Sequence, residues 1–138
     1  MLAAAASVTA VTAVAGEPKP KAKVAQVARG KYIVEQVAMC GDCHAPRDEK
    51  GQHIKEKWLH GAPIDFKATV PMPRWAELAP PIAGLPGWTD AEAVALLTTG
   101  KDPKGELPDP PMPPYRLTRE DATAVVAYLR SLPAPGGK

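Results

Sequence analysis

The sequence predicts an all-α domain of three main helices joined by long proline-rich loops. Three observations carry that prediction. Apolar residues recur at helical spacing in three separate stretches, beginning near Val24, Thr89 and Thr118. Thirteen of the seventeen prolines fall between Pro46 and Pro114, where residues without an N–H cannot feed a sheet ladder. No stretch reads convincingly as a strand.

At 138 residues the chain suits one domain plus an appendage. It opens with MLAAAASVTAVTAVAG, a small, apolar run. That run falls short of the ~20 apolar residues needed to cross a bilayer. It is similar to the apolar part of a secretory signal, with Ala13-Val14-Ala15 as an A-x-A cleavage site and no basic stretch before it. An export signal is the favoured reading, over an uncleaved anchor stub or a disordered alanine-rich tail. EPKPKAK follows as a charged linker. Residues 1–23 are thus read as signal-like or anchor segment and linker, 24–133 as the folded domain, and 134–138 as a flexible tail.

The first helix is expected over residues 24–40, with Ile33 and Val37 on one face and Val34 and Ala38 on another. The second starts at Thr89. Thr89 and Glu92 have capping-box spacing, Val94 and Leu97 line one face, and Gly100 is a natural stop. The third starts at Thr118, with Glu120 and Asp121 in its first turn. Ala122, Val125, Leu129 and Leu132 repeat at three and four, and Pro133 ends it. Trp58 to Trp88 reads as loop, with a short helix around Trp75 to Leu78. So long a loop in a small domain needs a reason; wrapping a large cofactor supplies one.

Composition narrows the function. Only seven aromatic residues are present, so the core is aliphatic or is filled by something other than protein. The formal net charge of +2 argues against nucleic acid as a partner, which would call for a basic patch.

Both cysteines lie within CGDCH, residues 40–44. On a helix, Cys40, Cys43 and His44 project from one face. One helical turn then offers two covalent anchors and an axial ligand, which is the logic of C-x-x-C-H as the c-type haem attachment signature. Two other readings compete. A redox dithiol wants a strand–helix context, and none precedes Cys40. A zinc site wants two more ligands, and His53 and His60 are spaced unlike any common zinc pattern. Both histidines are otherwise read as solvent-facing loop residues, or as a second metal site or non-native haem ligand.

Iron held by His44 has a sixth position, and a methionine there closes it and raises the potential. Met39 adjoins Cys40 and is expected to point elsewhere. Met72 and Met112 each sit in Pro-Met-Pro, where flanking prolines stiffen the backbone. Met112 leads directly into the last helix and is the favoured ligand. Met72 is the reserve; an apolar loop contact is its bland reading. Arg47 pairs with a haem propionate, or else with Asp48 or Glu49.

The chain resembles a monohaem class I c-type cytochrome. Cys40, Cys43 and His44 after an N-terminal helix, and Met112 before a C-terminal one, carry the resemblance. CGDCHAPRD, GWTDAEAVALLTTG and PPMPPYRLTREDATAVVAYLRSLP make it similar, more narrowly, to cytochrome subunits or domains of bacterial periplasmic dehydrogenases. The resemblance implies the class I fold around one covalent haem, with iron ligands His44 and Met112. It implies that a carbonyl soon after His44, that of Pro46, accepts the imidazole N–H. It implies that the loop Pro81 to Leu85 lies on the His44 side. Gly30, Tyr32 and Tyr128 are the candidates for the crossing of first and last helices, with Gln36 at a position usually aromatic. Tyr115 and Trp88 line the pocket or are core aromatics. Trp58 or Trp75 contacts a propionate.

The function implied is one-electron transfer without a substrate of its own. The partners implied are protein redox partners: a dehydrogenase, an oxidase or a membrane electron-transfer complex. The alternative is a haem enzyme or sensor with a displaceable methionine, peroxidase-like or gas-binding. A third reading is a structural subunit of a membrane complex, held by residues 1–16. Haem is attached after export in this family, so the periplasm or the outer face of the cytoplasmic membrane is expected. Charges over residues 42–57 balance, which predicts weak electrostatic steering of partners.

Overall fold

The structure, a computed structural model, describes residues 20–136. Helix α1 (Pro20–Tyr32) starts on a proline, whose fixed φ suits a first helical position. It therefore begins earlier than expected, within the stretch read as linker. From Ile33 to Val37 it loosens into a π-turn. The Ala38 N–H donates five residues back, to the Ile33 carbonyl, at 2.8 Å. That shifts the phase of the apolar face. Ile33 and Val34 are buried as expected, but Val37 is exposed, and half-buried Ala38 packs on the core instead. Met39 then adopts a left-handed φ of 48° and stops the helix. CGDCH is consequently not the end of the first helix. It forms a separate turn, α2 (Gly41–His44).

α3 (Asp90–Thr99) has the expected ends. Thr89 accepts from the Glu92 N–H, Glu92 accepts from the Thr89 N–H, and Gly100 closes the helix at φ 73°. α4 (Arg119–Ser131) is capped by Thr118, which accepts from the Asp121 N–H. Ala122, Val125 and Leu129 are buried along it.

α1 packs chiefly on α4. A Cβ at Gly30 would lie 1.9 Å from the Ala124 carbonyl oxygen and 2.9 Å from Tyr128 Cβ, so only glycine permits this approach. The crossing therefore uses Gly30 and Tyr128. Tyr32, by contrast, is 52% exposed, and Gln36 is exposed as well. Arg29 forks onto Asp121 at 2.9 and 3.2 Å between the two helices. The core is aliphatic apart from Tyr128, drawing Ile33, Val34, Leu59, Leu85, Val94, Val125 and Leu129 from all parts of the chain.

Two short strands contradict the expectation of none. β1 (Ala62–Pro63) pairs antiparallel with β2 (Leu78–Ala79), Ala62 opposite Ala79. The helix expected around Trp75 to Leu78 is absent. The Ala76 N–H is spent on the Pro110 carbonyl at 2.8 Å, and the Glu77 carbonyl on the Ile64 N–H at 2.9 Å. Among the described residues no helix is long and apolar enough to cross a membrane; the apolar run at 1–16 lies outside them.

Candidate functional site

An apolar cavity of about 540 Å³ lies where α2, the 78–88 loop, α3, α4 and the loop before α4 meet. Its size falls within the ~300–1,000 Å³ of small-molecule and cofactor sites. The α2 turn contributes Cys40, Cys43 and His44; the loop contributes Pro81, Ile82 and Leu85; α4 contributes Val125 and Leu129. Met112 and Tyr115 come from the segment before α4.

The α2 turn is seated by a glycine. A Cβ at Gly41 would lie 2.3 Å from the Trp58 ring, so the indole rests directly on the backbone between the two thiols. Trp58 Nε1 donates to the Tyr128 hydroxyl at 3.2 Å, and that hydroxyl donates to Glu35 at 2.6 Å. Trp58 is thus committed to packing. Trp75 Nε1 donates to the Phe66 carbonyl at 3.3 Å. Neither indole lines the cavity.

His44 is 7% exposed. Its Nδ1 lies 2.7 Å from the Pro80 carbonyl oxygen. The acceptor is therefore Pro80 and not Pro46, whose carbonyl takes the Ile54 N–H at 3.0 Å. The chain path explains the change. The Gly61 N–H donates to the His44 carbonyl at 2.7 Å, and the β1–β2 pair brings Pro80 back beside it. Pro80 immediately precedes the Pro81 to Leu85 loop, and that adjacency was the available signal. Burial lowers the His44 pKa, with the Pro80 contact opposing, so the ring stays neutral. With Nδ1 donating, the Nε2 lone pair is what the imidazole offers a metal.

Burial pushes the Cys40 thiol up to about 11. Burial, then the charges of Cys40 and Cys43, raises the Tyr115 hydroxyl to about 12. That hydroxyl donates to the Ala38 carbonyl at 3.1 Å. Tyr115 and Trp88 both line the cavity.

Of the methionines, Met112 is half-buried in the cavity wall. Met72 is 43% exposed and lies in a separate shallow groove with Phe66, Val70 and Trp75. Met39 also borders the main cavity, contrary to expectation, yet most of it faces solvent. Arg47 pairs with neither Asp48 nor Glu49 and does not line the cavity. It donates to Asp42 at 2.8 Å and to the Gly51 carbonyl at 2.9 Å. His53 and His60 are half-buried, not solvent-facing. His53 stands edge-on to Trp58, and His60 Nε2 lies 3.2 Å from the Pro133 carbonyl oxygen.

Among the described residues no group of three or more His, Cys, Asp or Glu side chains converges on a metal-sized site. The thiol pair therefore lacks the extra donors zinc needs. Two thiols and a neutral imidazole on an apolar cavity fit a covalent porphyrin.

A helical domain whose C-x-x-C-H turn opens onto an apolar cavity has the make-up of a c-type haem protein. Residues 27–133 match the family described as Cytochrome c, and the chain belongs to that family. It is 32% identical over 112 residues to a diheme cytochrome c-type protein of Cereibacter sphaeroides, covering 77% of this chain and 35% of that one. It is 32% identical to the fructose dehydrogenase cytochrome subunit of Gluconobacter japonicus, over 77% of this chain and 22% of that one. It is 30% identical to the cytochrome c subunit of a quinone alcohol dehydrogenase of Gluconobacter oxydans, over 82% and 25%. The chain spans about a third or less of the length of these relatives.

Proposed function

We propose that residues 24–133 form a one-electron carrier domain without a substrate of its own. A single c-type haem is attached through Cys40 and Cys43, and its iron is held between His44 and Met112. The supporting observation is that these four residues line one apolar cavity that Met72 does not reach. The haem iron supplies a one-electron ferrous–ferric couple when bound.

The protein's part is positioning and exclusion. Pro80 fixes the His44 ring and keeps its other nitrogen free. Pro111 and Pro113 flank Met112 and leave its backbone little freedom. Ile82, Leu85, Leu97 and Leu129 exclude water. The lining includes no Arg or Lys and no second His among the described residues, so nothing there assists O–O cleavage, and electron transfer is preferred over the peroxidase-like alternative.

The partner is a dehydrogenase, in line with the relatives named as dehydrogenase cytochrome subunits. The domain works in the periplasm or at the outer face of the cytoplasmic membrane, with residues 1–16 as export signal or anchor.

The test is expression with full haem-maturation machinery. The protein emerges coloured, with the weak ferric Met–iron band at the red end of the spectrum. Met112→Leu abolishes that band and lowers the potential. A colourless product ends the haem reading. A band untouched in Met112→Leu ends the assignment of Met112.

A further inference from the structure

Five of the eight residues from Leu107 to Pro114 are prolines, leaving backbone N–H groups only on Leu107, Asp109 and Met112. Such a segment is stiff, but it has few donors with which to fasten itself to the domain. Its carbonyls and its one charged side chain, Asp109, must do so. Toward α4 the fastening is clear. The Tyr115 hydroxyl donates to the Ala38 carbonyl at 3.1 Å, and the Leu117 N–H to the Leu97 carbonyl at 2.9 Å.

On the other side the anchor is the excursion between β1 and β2. Arg74 Nε pairs with Asp109 Oδ1 at 2.8 Å. Arg74 Nη2 donates to the Leu107 carbonyl at 3.4 Å, and the Ala76 N–H donates to the Pro110 carbonyl at 2.8 Å. The Asp109 carbonyl in turn accepts the Met112 N–H at 3.2 Å. Asp109 therefore joins the Arg74 guanidinium to the Met112 backbone, and both Asp109 and Met112 line the cavity.

We infer that Arg74 is a positioning residue that, through Asp109, holds Met112 in place over the cavity. This rests on the reading of Met112 as an iron ligand. Arg74 itself is absent from the cavity lining. The side chains of the pair are 54% and 42% exposed, and a pair that exposed shifts an equilibrium by about fivefold at most. It is also screened by salt. A lysine at position 74 keeps the charge but loses the fork that reaches Asp109 and Leu107 together.

The experiment titrates the ferric holoprotein with imidazole, which competes with the methionine sulfur for iron. The red band reports the methionine bond. Titrations run at low salt and at about 1 M, where the screening length falls to roughly 3 Å. Arg74→Ala and Asp109→Asn are the single variants, and Arg74→Ala, outside the cavity lining, should keep the red band at rest. At low salt each should tighten imidazole binding by about three- to fivefold. The double variant should match the singles, because both remove one interaction. Wild type should approach the variants at high salt, while the variants barely respond. Arg74→Lys should restore part of the wild-type behaviour. Wild-type affinity in Arg74→Ala at both salt levels, or effects of the two variants that add, would overturn the inference. Met112→Leu separates the two claims. If it keeps the red band, the ligand assignment falls and this inference with it. If it loses the band while Arg74→Ala changes nothing, only the inference falls.

Discussion

Replacing Gly30 by alanine gives the sharpest test of the helix crossing. In an unconstrained helix interior that change is favourable by about 1 kcal/mol. Here the new Cβ would stand 1.9 Å from the Ala124 carbonyl oxygen, 2.5 Å from its carbon and 2.9 Å from Tyr128 Cβ. Ordinary contact between such atoms begins at about 3.5 Å. Roughly 1.5 Å must therefore be found, and the nearest obstacle is backbone, which cannot rotate aside. α1 has to move off α4. Overpacking of this kind costs about 1–3 kcal/mol, occasionally more, and parting the helices also loosens the core beneath them. After the propensity gain, a net loss of about 1–2 kcal/mol is expected, or a fall in Tm of about 4–9 °C for a domain of about 110 residues. Urea and thermal unfolding of the haem-loaded protein, followed by far-UV circular dichroism, measure it. A Gly30→Ala protein as stable as wild type, or more stable by the propensity term, would refute the close crossing.

Gly41→Ala should disturb the attachment turn, because its Cβ would lie 2.3 Å from the Trp58 ring. A stability loss of about 1–3 kcal/mol and a lower yield of covalent haem are expected, read by denaturation and by haem-stained gels; a normal yield at normal stability contradicts the seating. Tyr128→Phe removes both the acceptor for Trp58 and the donor to Glu35, for a loss of about 1–2 kcal/mol at neutral pH. Burial, then the hydrogen bond to Glu35, raises the Tyr128 hydroxyl to about 12. A raised folded pKa gives stability that is complete below the unfolded value near 10 and is lost as pH climbs toward 12. The alkaline limb of wild-type stability should therefore be steeper than that of Tyr128→Phe, and parallel limbs would remove the linkage. Thr89→Ala should cost about 1 kcal/mol in thermal unfolding through loss of the α3 cap.

Much of this was legible because the signals are local. Thr89 with Glu92, Gly100, Thr118 and the α4 face each depend on residues within a turn or two, and each stands where spacing puts it. The grouping of Cys40, Cys43 and His44 was legible for the same reason. What escaped the reading is set by distant partners. The Pro80 carbonyl reaches His44 only because Gly61 and the β1–β2 pair return the chain to α2. Strands of two residues have no alternation to detect. Arg47 chooses Asp42 over its immediate neighbours because the Arg47–His53 bridge folds the intervening loop back. The π-turn was invisible because its apolar pattern passes for ordinary helix until Val37 is found in solvent.

That π-turn amounts to a single-residue insertion kept in an otherwise regular rod. Each α-helical residue advances the azimuth by about 100° and the axis by about 1.5 Å. The widened turn takes up the extra residue's share of that rotation, so deleting one residue between Ile33 and Val37 would mend the hydrogen-bond ladder and chiefly shorten the path to the left-handed Met39. The α2 turn, with Cys40, Cys43 and His44, hangs from that path, so its seating on Trp58 would be pulled out of place. Under the proposed attachment at Cys40 and Cys43, local regularity and cofactor capture pull against each other here, and a deletion variant that gained helix but shed covalent haem would display the trade in one sample.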